Sequence, residues 1–191
     1  KGVHAVALSC KKPGDVAKAI ERASAAFGER DRADAAMVKL LQVSTAAAAG
    51  VTNPAAAYTK WFGVTDSSAY AKVKQIVLDI DKVLSSGHIT FINAVDEDAG
   101  MDLTGVYGYT YKRNLQARNQ SGANGTTFVW MVPKANSKEL VLTLYHELSH
   151  AVGGTDDLSY STHLCQFYAR KNPELAANNA ENYCQFAGEY Y

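Results

Sequence analysis

The amino-acid sequence predicts an α+β fold, and three observations support this prediction. Apolar residues recur every three or four positions through most of residues 1–87, which is typical of amphipathic helices. Short apolar or alternating segments bounded by turn residues occupy residues 88–132. Helical periodicity then returns and continues to about residue 187. We therefore expect one domain over residues 1–191, with a mainly helical upper part (1–87) followed by a small twisted sheet, a central helix and C-terminal helices (88–191).

The first part of the chain contains three predicted helices. They cover residues 13–27, 31 to about 49, and 66–84, each with apolar residues on one stripe. Pro54 and the residues before it interrupt the second helical pattern, and Gly87 follows the third. These three helices predict an all-helical N-terminal half.

Strand-like segments follow at residues 88–93, 106–111 and 126–132. The second alternates tyrosines with small or polar residues, and the third follows the turn signal Asn124-Gly125 and ends at Pro133. Together they predict the small sheet.

Residues 136–152 form the clearest predicted helix of the second half. Asn136 or Ser137 can cap its start, and Glu139 lies in the first turn, where the helix dipole favours negative charge. Gly153 and Gly154 end the pattern, as glycines after a helix commonly do. Two further helices are predicted at residues 160–170 and 173–187.

The end of that central helix carries His146-Glu147-Leu148-Ser149-His150. Residues four apart share a face of a helix, so His146 and His150 can bind one metal ion together. Glu147 lies beside that face, where a carboxylate can take a proton from a metal-bound water. This H-E-x-x-H pattern is typical of zinc-dependent proteases.

A third ligand is expected just downstream, where Asp156 and Asp157 compete. Asp156 would fit the plan of zinc proteases that need a methionine turn after the motif, but every methionine of this chain lies before it. Asp157 belongs to a different pattern, G-T-x-D-x-x-Y, formed by Gly154, Thr155, Asp157 and Tyr160. Because the link from His150 to Gly154 is short, Asp156 remains the alternative ligand.

With this double motif the chain resembles the aspzincins, the deuterolysins and peptidyl-Lys metalloendopeptidases. The resemblance implies a zincin-like fold with one catalytic Zn²⁺ held by His146, His150 and Asp157. It implies Glu147 as the general base and Tyr160 as the donor to the developing oxyanion. Thr155 and Glu181 are the expected substrate-binding residues, with Glu181 in the pocket for the residue after the scissile bond (P1′).

Two flanking segments extend the resemblance over about residues 55–190. They are Trp61-Phe62-Gly63 and Asn179-Ala180-Glu181-Asn182. Lysine-specific members of the family place two acidic residues in the second segment, but this chain has only Glu181 there, with Cys184 at the other position. The resemblance therefore implies a zinc endopeptidase that prefers lysine or other basic or polar residues at P1′. An edge strand at 126–132 would bind the substrate backbone by strand addition.

Composition limits the partners of the protein. The chain has 19 basic and 19 acidic residues, so no basic field favours nucleic acid. No apolar stretch reaches the roughly 20 residues that span a bilayer. We expect a secreted, extracellular monomer that acts on protein or peptide substrates. Of the three cysteines, Cys165 and Cys184 form either a disulfide or buried thiols.

Two alternatives to a secreted digestive enzyme follow from the same sequence. One is a toxin-like effector protease that is delivered to another cell. The other is a non-catalytic binding module that keeps zinc for stability. Structural zinc sites are normally closed by four protein ligands, so the free carboxylate of Glu147 argues for the protease.

Overall fold

The computed structural model describes residues 6–8, 30–54, 56–86, 89–93, 108–110, 127–131 and 137–191. The helices of this part of the chain are α1 (Arg30–Thr52), α2 (Ala56–Phe62), α3 (Ser68–Ser86), α4 (Ser137–Gly153), α5 (Thr162–Lys171), α6 (Pro173–Asn178) and α7 (Ala180–Gly188). The strands are β1 (Val6–Leu8), β2 (Ile89–Asn93), β3 (Gly108–Tyr109) and β4 (Thr127–Met131). The predicted helix at 13–27 lies outside the described residues, as do Cys10 and His88.

Helix α4 lies at the centre of the fold and packs against α1, α3, α7 and β4. Its apolar positions are spaced so that they bury several faces of the helix at once. The buried apolar side chains are Leu140, Val141, Leu144, Tyr145, Leu148, Ala151 and Val152. Burial of one leucine side chain stabilises the fold by about 2 kcal/mol. The helix that carries the two histidines is therefore held rigidly by the core.

The strands pair in the order β1-β2-β4-β3. Strand β2 runs parallel to β4, with Ile89 opposite Thr127, and β1 and β3 pair antiparallel to β2 and β4. The segment predicted as an edge strand at 126–132 therefore has neighbours on both sides, and that prediction was wrong. Among the described strands, β3 is the outer neighbour of β4.

The predicted α+β fold class was also wrong, because the described part of the chain is mostly helical. Among the described core residues, Val129 alone belongs to a strand, and all the others lie in helices. Apolar helical stripes pack on each other here and do not need a sheet to cover them. In place of the expected small twisted sheet, the described residues contain four short strands, and the described core side chains other than Val129 lie in helices.

Within the helical part, the sequence predicted some boundaries well and missed others. The helices predicted at 31–49 and 66–84 correspond to α1 and α3. Helix α2, which carries Trp61 and Phe62, was not predicted. The single helix predicted at 173–187 is two helices, α6 and α7, because the backbone of Asn179 is extended (φ −97°, ψ 117°).

The Trp61-Phe62-Gly63 segment has a structural role in this fold. Trp61 and Phe62 are buried, and Gly63 ends α2 with a positive φ of 84°. A Cβ atom at Gly63 would lie 2.2 Å from the carbonyl oxygen of Ala169 on α5. Glycine therefore allows both the left-handed turn and the close approach of α2 to α5.

Candidate metal centre

The C-terminal end of α4 and the loop that follows it build the site. Gly154 has a positive φ of 65°, and its N–H donates to the carbonyl of His150 over 2.9 Å, so the helix ends there as predicted. The chain then turns back past the two histidines through residues 155–161 and enters α5 at Thr162. Asp157 and Tyr160 return by this turn to the histidine face of α4.

Three donor atoms converge at the site. The Nε2 atoms of His146 and His150 lie 3.1 Å apart, and the Oδ1 atom of Asp157 lies 2.9 Å from the first and 3.2 Å from the second. Both imidazoles are buried, whereas the Asp157 side chain is 46% exposed. The resulting triangle is enclosed by protein at the histidines and open to solvent at the carboxylate.

This triangle fits zinc. Zinc–ligand bonds of about 2.0–2.1 Å in tetrahedral geometry separate neighbouring donor atoms by about 3.3 Å. The three observed separations, 2.9, 3.1 and 3.2 Å, are close to that value. Two imidazoles and one carboxylate are also a donor set that catalytic zinc uses. The three residues could therefore hold one zinc ion and leave one coordination position for water.

Thr155 and Ser149 fix the orientation of His150. The Nδ1–H of His150 donates to the Thr155 carbonyl over 2.8 Å, which leaves Nε2 with a free lone pair. The Ser149 hydroxyl donates to the carbonyl of His146, so the Thr155 hydroxyl, 2.9 Å away, donates to Ser149. Thr155 is fully buried. Thr155 therefore lies against His150 and orients its ring, whereas the sequence predicted that Thr155 would contact substrate.

Glu181 lies behind His146. Its Oε2 atom is 3.4 Å from Nδ1 of His146, its Oε1 atom accepts a hydrogen bond from Gln185, and its side chain is only 12% exposed. Burial lowers the pKa of His146, but its hydrogen bonds to the carboxylates of Asp157 and Glu181 outweigh burial and raise the pKa to about 9. The two carboxylates thus favour a positive charge at this position, which is what a metal ion supplies.

Glu147 is buried beside the two histidines. Burial raises its pKa to about 7, against the opposing effect of His146 and His150. A carboxylate with a pKa near neutrality can both accept and release a proton at the pH where a protease works. The environment of Glu147 therefore suits the predicted role of general base.

Tyr160 covers the open side of the site. Its ring stacks on the His146 ring at 5.6 Å between centroids and 10° between planes, and the residue is 67% exposed. Burial of the hydroxyl and the charge of Asp157 raise the pKa of Tyr160 above its usual range. The phenol therefore stays protonated and can donate a hydrogen bond to an oxyanion.

Asp156 faces a different neighbour. Its Oδ2 atom accepts a hydrogen bond from the Asn178 side chain over 2.7 Å, and its backbone pairs with Asn179 in a parallel bridge. The three residues whose ligand atoms cluster in the described chain are His146, His150 and Asp157. This geometry supports Asp157 over Asp156 as the third ligand.

Sequence reasoning missed the supporting residues of the site. Ser149 has no signal beyond its place inside the motif, and Asn179 was noticed only as part of a resemblance. Both are buried polar side chains. An asparagine in the middle of the predicted helix 173–187 was the one available signal, because asparagine favours caps and turns.

Comparison with known proteins identifies the family. A family model described as lysine-specific metallo-endopeptidase, the aspzincin model, matches residues 46–188. The chain belongs to the aspzincin family. This confirms the resemblance that the double motif predicted, and with it the prediction of a zinc metalloendopeptidase family and of zinc as the cofactor.

Individual proteins are also similar to this chain. A peptidyl-Lys metalloendopeptidase of Grifola frondosa and an extracellular protease of Aeromonas hydrophila are each 27% identical over 132 residues, which is 68% of this chain. The match spans 34% and 35% of the length of these two relatives. The solved structure of a zinc peptidase from Grifola frondosa shares the fold, with a TM-score of 0.53 and 24% identity over 79% of this chain and 93% of that one.

Two further observations complete the description of this aspzincin. Cys165 and Cys184 are free and buried, so the alternative of buried thiols applies, and burial raises the pKa of Cys165 to about 11. Within the described residues, no helix combines the length and apolar character that crossing a bilayer requires.

Proposed function

We propose that this aspzincin is a secreted, monomeric zinc endopeptidase that hydrolyses peptide bonds of proteins or peptides, with residues 1–191 as one catalytic domain. The observation that carries the proposal is the triangle of donor atoms from His146, His150 and Asp157 with buried Glu147 beside it. A relative named as an extracellular protease supports secretion. An adjacent, uncoordinated carboxylate argues against a purely structural zinc site.

The residues divide the work as follows. His146, His150 and Asp157 hold zinc, which supplies a polarised water and a Lewis acid for the scissile carbonyl. Glu147 takes the proton of the attacking water and later passes it to the leaving amine. Tyr160 donates its hydroxyl proton in a hydrogen bond to the developing oxyanion, which requires the phenol to stay protonated.

Two buried residues keep the histidines in the metal-binding orientation. Thr155 accepts from Nδ1 of His150, and Glu181 lies against Nδ1 of His146, so each Nε2 is directed to the ion. We therefore revise the predicted substrate-binding role of Thr155 to an orienting one. Glu181 adds negative charge beside Nδ1 of His146, and its place in the P1′ pocket stays a prediction.

We also propose that the enzyme prefers a basic residue at P1′. A cavity of about 220 Å³ is lined by Glu139, Leu142, Thr143 and Cys184. Burial raises the pKa of the Cys184 thiol well above its usual range, so Cys184 adds no negative charge, and the carboxylate that lines the cavity is Glu139. An aliphatic wall with a carboxylate suits the long stem and cationic end of lysine.

A digest of a denatured protein mixture tests the proposed activity. The zinc-loaded protein, the same protein with a zinc chelator, and Glu147→Gln are incubated with the mixture, and cleavage sites are read by mass spectrometry. We expect cuts only in the first sample. Cuts that persist with the chelator or in the variant would refute the mechanism, and a zinc-loaded, folded protein that makes no cuts would favour the non-catalytic module.

The P1′ preference needs a separate test. Matched peptides with lysine or norleucine at P1′ differ by one charge, and their kcat/KM ratio measures selection for that charge. We expect Glu139→Gln to lower the ratio roughly two- to fivefold, the worth of a partly exposed charge pair. An unchanged ratio would show that Glu139 does not select the P1′ residue. It would not affect the assignment of the metal ligands.

A further inference from the structure

Asn179 separates two helices at a point where the sequence predicts one. Its backbone is extended (φ −97°, ψ 117°), and α6 ends before it while α7 begins after it. The residue is fully buried. An interrupted helix loses backbone hydrogen bonds and exposes others, so a buried interruption needs compensating partners.

The backbone groups on either side of Asn179 form hydrogen bonds with the backbone of Asp156. The N–H of Asp156 donates to the carbonyl of Asn178 over 2.7 Å, and the N–H of Ala180 donates to the carbonyl of Asp156 over 2.9 Å. These two bonds form a parallel bridge between Asp156 and Asn179. The residue immediately before the metal ligand Asp157 is thereby attached to the break between α6 and α7.

The side chain of Asn179 binds the residues that follow Asp157. Its Oδ1 atom accepts from the N–H groups of Leu158 (3.0 Å) and Ser159 (3.1 Å). Its Nδ2 atom donates to the carbonyl of Ser159 over 3.0 Å and to Oδ1 of Asn182 over 2.7 Å. One amide thus satisfies three backbone groups of the turn that leads from Asp157 to Tyr160.

We propose that Asn179 is a positioning residue for catalysis, which holds Asp157 against the metal and Tyr160 over it by fixing the chain on both sides of Asp157. This inference rests on the proposed function, because it assigns Asn179 to the same site. From one short side chain, the asparagine amide supplies an oxygen that accepts from two N–H groups and, on a separate atom, a donor for a carbonyl. Loss of a residue that holds a metal ligand in place commonly weakens metal binding by about 10–100-fold.

Asn182 provides a matched control. It is also a fully buried asparagine, and its Nδ2 atom donates to the carbonyls of Trp61 (2.6 Å) and Cys165 (3.0 Å). Its side chain accepts a hydrogen bond from Asn179, but within the described chain it forms no hydrogen bond with the turn between Asp157 and Tyr160, so its loss should lower stability and loosen Asp157 less than the loss of Asn179 does. A residue with a merely structural role would behave like Asn182.

The experiment compares Asn179→Ala, Asn179→Asp and Asn182→Ala with the wild type. Zinc affinity is measured by competition with a chromogenic chelator, folding by circular dichroism and thermal unfolding, and kcat/KM on a peptide. We expect Asn179→Ala to weaken zinc binding about tenfold or more and to lower kcat. Asn179→Asp, which keeps the acceptor and loses the donor, should lie between Asn179→Ala and the wild type.

Zinc affinity distinguishes the failure of this inference from the failure of the proposed function. Wild-type affinity in folded Asn179→Ala, or an equal loss in Asn182→Ala, would overturn the positioning role. If Asn179→Ala does not fold, Asn179→Asp with wild-type zinc affinity and kcat would overturn it. A wild type that binds zinc tightly but cleaves no peptide would refute the proposed function, while a selective loss of affinity in Asn179→Ala would still support the hold on Asp157.

Discussion

At the residue scale, two carboxylates interact electrostatically with the same pair of histidines, yet their environments differ. Glu147 is buried, and burial raises its pKa to about 7. Asp157 is 46% exposed and its carboxylate lies within hydrogen-bond distance of both imidazoles, which hold its pKa well below the usual range. When the environments of two carboxylates hold their pKa values apart in this way, one group commonly carries the proton and the other stays ionised.

Glu147→Gln tests the first role. The amide has nearly the same size and cannot accept a proton from water, so we expect zinc content and thermal stability to stay close to wild type. The rate of peptide hydrolysis should fall at least ~10²-fold, which is the usual worth of a general base. Steady-state kinetics on a zinc-quantified sample decides, and a variant with wild-type kcat would eliminate Glu147 as the base.

Asp157→Asn and its neighbour Asp156→Asn test the second role. Asp157 Oδ1 contacts both histidine Nε2 atoms, whereas Asp156 contacts Asn178. Replacing a carboxylate ligand by a neutral amide should weaken zinc binding strongly at position 157 and little at position 156. Chelator competition measures both constants, and the opposite ranking would make Asp156 the ligand.

At the scale of the elements, three glycines differ in backbone conformation and in the space around their Cβ positions. Gly63→Ala tests the most restricted of the three. A left-handed φ costs an alanine about 1–2 kcal/mol, and the new Cβ would also meet the Ala169 carbonyl at 2.2 Å. We expect a loss of more than ~2 kcal/mol of unfolding free energy, measured by urea denaturation.

Two other glycines serve as controls for that substitution. Gly154 has a positive φ with no atom within 4 Å of its Cβ position, so Gly154→Ala should show the backbone cost alone, about 1–2 kcal/mol. Gly188 lies in a helix with its nearest neighbour at 3.8 Å, so Gly188→Ala should be neutral or stabilising. Equal effects at all three positions would contradict the close approach of α2 to α5.

The sequence predicts the histidine helix well because its signals are local. Spacing, the cap and the terminal glycines all describe α4, and the double motif predicts the three metal ligands. The break at Asn179 escaped prediction because its cause is the distant turn at residues 156–159, which no local pattern records. The fold class was wrong for a related reason: short strand-like segments do not reveal whether they organise a core, and here helices do.

At the scale of the whole molecule, the C-terminal end of the described chain contacts the helix that precedes Gly63. Glu189 accepts from Lys60 Nζ over 2.6 Å and from the Trp61 indole N–H over 2.9 Å. The hydrogen bond from Lys60 has the largest effect on Glu189 and lowers its pKa below the ordinary value. Burial opposes this effect, and the hydrogen bond from Trp61 adds to it. This contact ties α2 to the end of α7.

The sign of that shift gives a pH prediction for Glu189→Gln. A lowered folded-state pKa means stabilisation that is present above the unfolded value of about 4.5 and is lost as pH falls through the folded value. We expect the wild type to exceed the variant by about 0.5–1 kcal/mol at pH 7 and by progressively less towards pH 3.5. Urea denaturation at both pH values measures the difference, and Asp79→Asn, which removes an exposed carboxylate that bonds within its own helix, should show no such trend. A constant difference would contradict the ion pair.

The hydrogen bonds between Asn179 and the turn after Asp157 have a consequence for chains that are only partly synthesised. Synthesis proceeds from the N-terminus, so a growing chain acquires both histidines and Glu147 before it acquires the residue that holds the third ligand. A chain interrupted before Asn179 would carry the complete histidine motif without a fixed Asp157. Such a truncated chain should therefore bind zinc more weakly than the full chain does.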